Sequence, residues 1–439
     1  MARGPRRSLV TFEFDPSDED LPGQVQSEAS GLCPDIERLI GRRSSVPWLN
    51  LPFAIREGDL ARLQEIALEL RANSDVLLLL GSPGLEAAAC SLIRVLGPVL
   101  PEGGPRLEFI GRDWSGTMRL TRLLEWLGDR RISLVGLISE NFSPLNSACL
   151  SILHEHVERR HGPAETARRV VLAGSGAQTP LARRAQDSGL RVLEHPLFLP
   201  EPYAALTPAG LFPAALAGVD PTALLEGARS QARSMEGQEP ASLPAVQYAL
   251  ARLLLAEDGR DLEFVGAQGH PWTGLAREAE RILAIPLQGN RRTPLPMAWC
   301  PEAPPSRRDS WLERGSLKAF GTWINTPTPD GPAIPEDRLG ADCPDLEELF
   351  LGPLEQSLVR AEAAAWRHAG LPVLQLRMAR PDPLSTGALI FFLQCVRGLS
   401  SAWHAPEADA RVSPSARHQQ DKGQPASQTA NRAPQSNEA

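Results

Sequence analysis

Lysine is almost missing from this sequence. All but two of its 45 basic residues are arginine, the exceptions being Lys318 and Lys422, so few positions are open to a mechanism that needs a lysine amine. Net positive charge is missing too, because 53 acidic residues leave a formal charge of -8. Nonspecific binding to nucleic acid needs a basic face. We therefore expect no nucleic-acid partner.

Paired cysteines and long apolar runs are also absent. The six cysteines are scattered without a CxxC pair, which argues against a disulfide framework or a structural zinc site and favours reduced thiols. We find no apolar run near the roughly 20 residues that a membrane span needs. No apolar segment follows Arg3, Arg6 and Arg7 to make a signal peptide. These absences predict a cytoplasmic protein without a membrane partner.

Aromatic residues are scarce, at 5% of the chain, so a core must rest on Leu, Ala, Val and Ile. The shares of hydrophobic residues, 42%, and charged residues, 22%, are ordinary for a soluble globular protein. A chain of 439 residues is long enough for two or three domains.

Short aliphatic runs alternate with helical stretches in the first half of the chain, and loops rich in Gly and Ser follow several of them. The predicted strands are 76–80, 107–111, 132–138, 170–173 and 191–193. Such alternation predicts a doubly wound α/β domain with a parallel sheet. Ligands on these sheets bind at the carboxyl ends of the strands, where the Gly/Ser loops fall.

The second half of the chain predicts a less regular α/β domain. Its predicted strands are 261–266 and 372–377, and its main predicted helices are 247–255, 354–369 and 386–399. Residues 300–345 are rich in Pro, Arg and Asp, which predicts loops around a short helix. We divide the chain into an N-terminal arm or extended leader (1–45), a first α/β subdomain (46–205), a helical connector (206–235), a second α/β subdomain (236–413) and a disordered tail (414–439).

The connector has the clearest local signals. It begins LTPAGLFPAALAGVDPTALLEGAR at residues 206–229. Thr207 and Pro208 predict a helix start, Gly218 predicts its stop, and Asp220 with Pro221 predicts the start of a second helix.

This connector and the segment STGALIFFLQ at 385–394 resemble the phosphoglucose isomerase family, and the resemblance runs colinearly over 48–417. It implies two sugar-isomerase-type subdomains, each a parallel sheet between helices. It also implies a sugar-phosphate ligand, a reaction between glucose 6-phosphate and fructose 6-phosphate without a metal or other cofactor, and a homodimer with the site near the subunit boundary.

Two loops of the family match phosphate-binding positions here. The stretch LLLGS at 78–82 keeps the final Gly–Ser of the family's glycine-rich loop, and SENFSPLNS at 139–147 matches its phosphate loop. The implied phosphate-binding residues are Gly81, Ser82, Ser139, Asn141, Ser143 and Ser147. Glu140 replaces a lysine and would repel phosphate, and Pro144 lacks an N–H donor. Helix capping by the same hydroxyls is the alternative.

The family's catalytic residues are replaced. Pro202 stands at the active-site arginine, Pro286 at the glutamate base, Lys318 at the ring-opening histidine and Ala416 at the lysine. Lys318 alone among these can move a proton, so it is the candidate catalytic residue, although a surface lysine is the ordinary interpretation. Glu278 and Glu280 lie upstream of Pro286 on a probable helix, and we interpret them as a solvated face.

Outside the resemblance, His154, His156 and His161 share the stretch HEHVERRH. A metal site can be imagined there, but a solvated amphipathic helix explains the pattern and we predict no metal.

Three hypotheses remain open from the sequence. The first is a sugar-phosphate-binding pseudoenzyme that acts as a sensor or partner subunit. The second is a working aldose–ketose isomerase with relocated acid–base groups, and the third is a scaffold without a small ligand. A Glu, Asp or His beside the Gly81/Ser139 cleft would separate the first two, and a filled apolar cleft would favour the third.

Overall fold

The computed structural model describes residues 8–14, 20–98, 104–111, 116–139, 142–174, 180–194, 199–267, 269–285, 292–299, 318–334 and 350–404. Four positions with a predicted role, Glu140, Asn141, Pro286 and Ala416, lie outside the described residues, as does the predicted disordered tail.

The strands fall into two five-stranded sheets. In chain order they are β1 (Val10–Glu13), β2 (Val76–Gly81), β3 (Arg106–Phe109), β4 (Ile132–Ile138), β5 (Val170–Gly174), β6 (Arg191–Leu193), β7 (Leu262–Ala267), β8 (Leu295–Trp299), β9 (Ala319–Asn325) and β10 (Val373–Met378).

The helices connect and cover these strands. They are α1 (Asp20–Gly41), α2 (Pro47–Ala54), α3 (Glu57–Asn73), α4 (Pro83–Leu96), α5 (Thr117–Leu127), α6 (Pro144–His161), α7 (Pro163–Arg169), α8 (Pro180–Asp187), α9 (Pro208–Leu216), α10 (Pro221–Ser234), α11 (Pro244–Glu257), α12 (Gly269–Leu283), α13 (Leu351–His368) and α14 (Pro383–His404).

The first sheet is entirely parallel, in the order β3-β2-β4-β5-β6. All residues of β2 and β4 are buried, because helices cover both faces of a parallel sheet and leave no solvent-facing side to the strands. Their sequences are therefore continuous aliphatic runs. The predicted parallel α/β arrangement is confirmed.

The second sheet has the order β1-β10-β9-β7-β8, and only β1 runs antiparallel, against β10. Strand β9 corrects the sequence analysis, which expected loops around a short helix in this region. Its residues AFGTWIN are buried up to Ile324, but its apolar run is short and interrupted by Gly321 and Thr322. The neighbouring Pro, Arg and Asp residues hid it.

The N-terminal segment is also different from the predicted extended arm. Residues 20–41 form α1, which buries Leu21, Val25, Ala29 and Ile36. These positions are separated by 4, 4 and 7 residues, so one helix face is apolar, but polar and glycine residues between them weaken the signal. Strand β1 adds to the edge of the second sheet.

The connector forms the two predicted helices, α9 and α10. Asp220 accepts the Thr222 N–H at 2.8 Å as the cap of α10, and Gly218 has a φ of 88° at the end of α9. Helix α10 crosses α14 at very short range, because a Cβ on Gly227 would lie 1.8 Å from the Leu384 carbonyl oxygen. The connector therefore joins the two halves through close backbone packing.

Helix α14 corrects the statement that no apolar run approaches the length of a membrane span. Its segment Pro383–Trp403 is long and apolar enough to cross a membrane, with a mean hydropathy of 1.2 over 18 residues. Inside the molecule, 83% of those 18 residues are buried. The core helix of a globular protein has the same composition.

Candidate functional site

Two predicted site residues meet at the carboxyl edge of the first sheet. Ser82 follows β2 and Ser139 follows β4, and these strands are hydrogen-bonded neighbours in parallel. Their hydroxyl oxygens lie 3.1 Å apart, and both side chains are buried. Parallel strands bring their carboxyl ends to the same edge, so these two loops lie side by side, while phosphate binding by them stays a prediction.

A carboxylate that the sequence analysis did not assign completes this cluster. Glu201 Oε1 accepts hydrogen bonds from Ser139 Oγ at 2.6 Å and from Ser82 Oγ. Glu201 Oε2 lies over Gly84, in the first turn of α4, where an added Cβ would be only 2.2 Å from it. The negative charge is thus held at a helix N-terminus by two hydroxyl donors, an arrangement that stabilises an anion.

The backbone of the Glu201 segment is fixed from the second half of the chain. Arg281 on α12 donates to the carbonyl oxygens of Glu201 at 2.5 Å and Pro202 at 3.3 Å. The same guanidinium forms an ion pair with Glu278, which is only 1% exposed. The interpretation of Glu278 as part of a solvated face is therefore wrong, because α12 packs that face inward.

Glu280 is half-buried, and its Oε2 accepts the Ala298 N–H at 3.2 Å. It therefore does not fit a fully solvated face either.

A second arginine lies next to this anchor. Arg397 on α14 donates to the carbonyl oxygens of Ile282 at 2.8 Å and Ala284 at 2.6 Å. Burial lowers the pKa of Arg397, while its hydrogen bond and charge interaction with Tyr203 oppose that shift. Tyr203 is buried and directly follows Pro202. The loop that carries Glu201 is consequently tied to both α12 and α14.

The backbone groups of Gly81 form hydrogen bonds with side chains inside the protein. Its N–H donates to Glu86 Oε1 at 2.8 Å, and its carbonyl oxygen accepts Asn146 Nδ2 at 2.7 Å. The buried Glu86 carboxylate also accepts the Gly111 N–H at 2.9 Å. Both backbone polar groups of Gly81 thus have partners within the protein.

The remaining predicted phosphate ligands lie on α6. Ser143 Oγ accepts the Asn146 N–H at 3.1 Å as the helix cap, which is the alternative role considered for it. Ser147 is exposed one turn into the helix, and its carbonyl oxygen accepts the Ser151 hydroxyl at 3.0 Å. Neither hydroxyl is part of the Ser82–Ser139–Glu201 cluster.

Lys318 lies elsewhere, contrary to its predicted catalytic role. It immediately precedes β9 and is exposed, with its Nζ 3.4 Å from the position of a Cβ on Gly259. Strand β9 has seven residues, so Lys318 is about 20 Å from the carboxyl end of that strand. The position suits a surface lysine.

Thr322 belongs to a buried network in the second sheet. Its hydroxyl donates to Glu263 Oε1 at 2.8 Å, and Tyr248 donates to the same oxygen at 2.6 Å. Arg252 Nε donates to Glu263 Oε2 at 2.7 Å. Burial and the Glu263 charge raise the pKa of Tyr248. The network is fully enclosed and joins α11 to β7 and β9.

The three histidines lie on α6, and all three are partly buried. Burial and nearby arginines lower the pKa of His156 and His161. His161 Nε2 accepts the Ile132 N–H at 3.4 Å. Within the described part of the chain, no three His, Cys, Asp or Glu side chains are grouped so that they could hold a metal ion.

Comparisons with known proteins agree on one family of curated relatives. No family model matches the chain. It is 27% identical to the glucose-6-phosphate isomerase of Symbiobacterium thermophilum over 361 residues, covering 79% of each chain. It is 30% identical to that of Heliobacterium modesticaldum over 224 residues, covering 49% of this chain and 50% of the relative.

Two solved structures share the fold. A hypothetical protein from Thermus thermophilus superposes with a TM-score of 0.78 at 19% identity, over 93% of this chain and 98% of that protein. A glucose-6-phosphate isomerase from Chlamydia trachomatis superposes with a TM-score of 0.65 at 12% identity, over 90% and 84%.

Proposed function

The chain belongs to the glucose-6-phosphate isomerase family, and we propose that it is a member that binds a sugar phosphate without isomerising it. Such a protein acts as a sensor or as a partner subunit. The ligand class follows from the activity for which its relatives are named, and the reaction claim follows from its own residues.

One observation carries the proposal: two buried hydroxyls converge on a single oxyanion at the carboxyl edge of the first sheet. Ser82 and Ser139 both donate to Glu201 Oε1. A phosphate oxygen needs the same kind of donors as a carboxylate oxygen, so these two hydroxyls support a phosphate position here. The site also follows a strand and opens a helix, as phosphate sites commonly do.

At the positions that match the family's catalytic residues, this chain lacks the side chains that the reaction needs. Pro202 takes the place of the arginine that would stabilise an enediolate, and the Arg281 guanidinium is engaged with Glu278 and two carbonyl oxygens. Loss of one preorganised charge of this kind costs about 10²–10³ in rate. Lys318, at the histidine position, lies at the amino end of β9, whereas ligands on such sheets bind at the carboxyl end.

A second candidate function is isomerisation with Glu201 as a relocated base. The observation in its favour is the Glu201 carboxylate beside Ser82 and Ser139, because an isomerase with relocated acid–base groups would need such a group there. Glu201 Oε1 already accepts two hydroxyl donors, so it would have to leave both before accepting a proton from carbon. The pseudoenzyme hypothesis therefore agrees better with the geometry.

The test is isomerisation of fructose 6-phosphate by the purified protein, coupled to glucose-6-phosphate dehydrogenase. An intact isomerase is the positive control. We expect no turnover above the blank. Turnover that is retained in Lys318→Ala and lost in Glu201→Gln would establish the second candidate instead.

Binding is measured separately by titration calorimetry with glucose 6-phosphate. We expect heat of binding in the wild type and its loss in Ser82→Ala/Ser139→Ala. Lack of binding in every variant would leave the scaffold hypothesis.

We further propose a cytoplasmic homodimer, as the resemblance implies, and sedimentation equilibrium tests the dimer.

A further inference from the structure

We propose that Glu201 is an internal competitor that occupies the phosphate position of this cleft and determines how tightly the cleft binds phosphorylated ligands. The inference rests on the proposed function, since it concerns the same two serines. It assigns Glu201 a role in ligand selection that is separate from any acid–base chemistry.

Glu201 uses the hydroxyl donors that a phosphate would need. Each serine carries one O–H group, and both O–H groups in this cluster point to Glu201 Oε1. Ser82 is completely buried and Ser139 is 5% exposed, so neither hydroxyl has an open solvent side from which to reach a second anion. A phosphate oxygen can gain these donors only when Glu201 releases them.

The charge and the position of Glu201 also oppose a second anion at this place. A carboxylate and a phosphate dianion in the same small volume repel one another strongly. Glu201 Oε2 also fills the space over Gly84, within 2.2 Å of where a Cβ would lie. Both oxygens of Glu201 thus stand where an incoming phosphate would contact Ser82 and the start of α4.

The backbone of Glu201 is held more firmly than its side chain. The backbone at Glu201 and Pro202 is held by Arg281, and Tyr203 is buried directly after it. The Glu201 side chain, however, is only half-buried. Displacement therefore takes the form of a side-chain rotation toward solvent, while the loop stays in place.

The experiment compares the dissociation constants of glucose 6-phosphate and inorganic phosphate for the wild type, Glu201→Gln and Glu201→Ala. Release of a charged hydrogen-bonded competitor predicts binding at least about tenfold tighter in Glu201→Ala. Glu201→Gln keeps the shape and removes the charge, so we expect an intermediate gain. Circular dichroism and thermal unfolding establish that both variants are folded.

Glu194→Gln is the matched control. Glu194 follows β6 at the same edge of the sheet, is half-buried, and accepts Gln186 Nε2 at 3.2 Å. Its substitution removes one negative charge without touching Ser82 or Ser139. A similar gain in Glu194→Gln and Glu201→Gln would overturn the inference, because it would reflect net charge alone.

Two other outcomes separate the inference from the proposed function. If the wild type binds and neither Glu201 variant binds more tightly, Glu201 is no competitor while the proposed function stands. If no variant binds either ligand, the cleft is not a phosphate site and both proposals fall. Binding that appears only after Glu201 is replaced supports the inference in its strongest form.

Discussion

Two glycines three positions apart have opposite tolerances, although the sequence gives them the same appearance. A Cβ on Gly81 would lie 2.7 Å from Leu137 Cβ and 3.2 Å from the Leu137 carbonyl oxygen, between two buried strands. A Cβ on Gly84 would meet Glu201 Oε2, the end of a side chain that can rotate away.

We predict that Gly81→Ala lowers the free energy of unfolding by about 1–3 kcal/mol, the usual cost of overpacking. Gly84→Ala should leave it nearly unchanged, since the better helix propensity of alanine, about 1 kcal/mol, offsets the lost hydrogen bonds of Glu201. Urea unfolding of the two variants measures both. Equal losses would show that the Glu201 side chain cannot move.

The ion pair under the Glu201 loop predicts a larger effect. Arg281→Met leaves the Glu278 carboxylate buried without its cation, and such a change costs about 3–5 kcal/mol. Arg277→Met, at an exposed position of α12, should cost almost nothing. A double variant, Glu278→Leu/Arg281→Met, should recover part of the loss. The prediction is contradicted if Arg281→Met and Arg277→Met unfold at the same urea concentration.

At the residue scale, the sequence predicted which family residues are replaced. It did not predict which other side chains lie beside the candidate site. The resemblance placed proline at position 202 and the serines at 82 and 139. It missed Glu201, because the carboxylate reaches serines that are 119 and 62 positions away along the chain. A glutamate between two prolines carries no local signal of such contacts. The same holds for Glu278, whose burial depends on which face of α12 packs inward.

At the scale of elements, the crossing of α10 and α14 depends on two glycines. A Cβ on Gly227 would lie 1.8 Å from the Leu384 carbonyl oxygen, and one on Gly387 would lie 1.9 Å from that of Leu224. These are backbone atoms of the opposing helix, so no side-chain rotation relieves the clash.

We predict that Gly227→Ala or Gly387→Ala lowers stability by at least about 3 kcal/mol, at the upper end for overpacking. Gly31→Ala in α1, with no neighbouring atom within 4 Å of its Cβ, should raise it by up to about 1 kcal/mol. Thermal unfolding of the three variants checks the ranking. A Gly227→Ala protein as stable as Gly31→Ala would mean that the helices do not cross in contact.

The helices and strands were predictable where their residues form a recognisable local sequence pattern. Strands β2 and β4 are buried on both faces and therefore appear as unbroken aliphatic runs, and α9 and α10 begin at Pro208 and Pro221. Only α10 has a side-chain cap, from Asp220, whereas the Thr207 hydroxyl donates to the Ala204 carbonyl oxygen. Strand β9 and helix α1 lacked such marks. Their apolar residues become contiguous only when the second sheet and its helices assemble around them, which a local pattern does not show.

At the scale of the whole molecule, β1, near the start of the described chain, belongs to the second sheet. Strand β1 pairs with β10 from Val10 opposite Met378 to Glu13 opposite Gln375, and Ser8 Oγ donates to Gln231 Oε1 on α10 at 3.0 Å. The N-terminal segment thus covers one edge of the second sheet. Its partner strand β10 is distant from it along the chain, so no local pattern predicts this placement.

Deletion of residues 1–14 tests this closure. It removes Val10, which is fully buried, and Phe12, whose ring centroid lies 5.4 Å from that of Tyr248. Two such side chains contribute about 3–6 kcal/mol by burial, so we predict a fall in the urea midpoint. The uncovered edge of β10 should also promote association, because unpaired strand edges bind other chains, and size-exclusion chromatography detects it. Deletion of residues 1–7, which retains β1, is the control for chain length. If both truncated proteins match the full chain in stability and size, β1 does not hold the edge, because its loss would then expose neither apolar surface nor unpaired backbone groups.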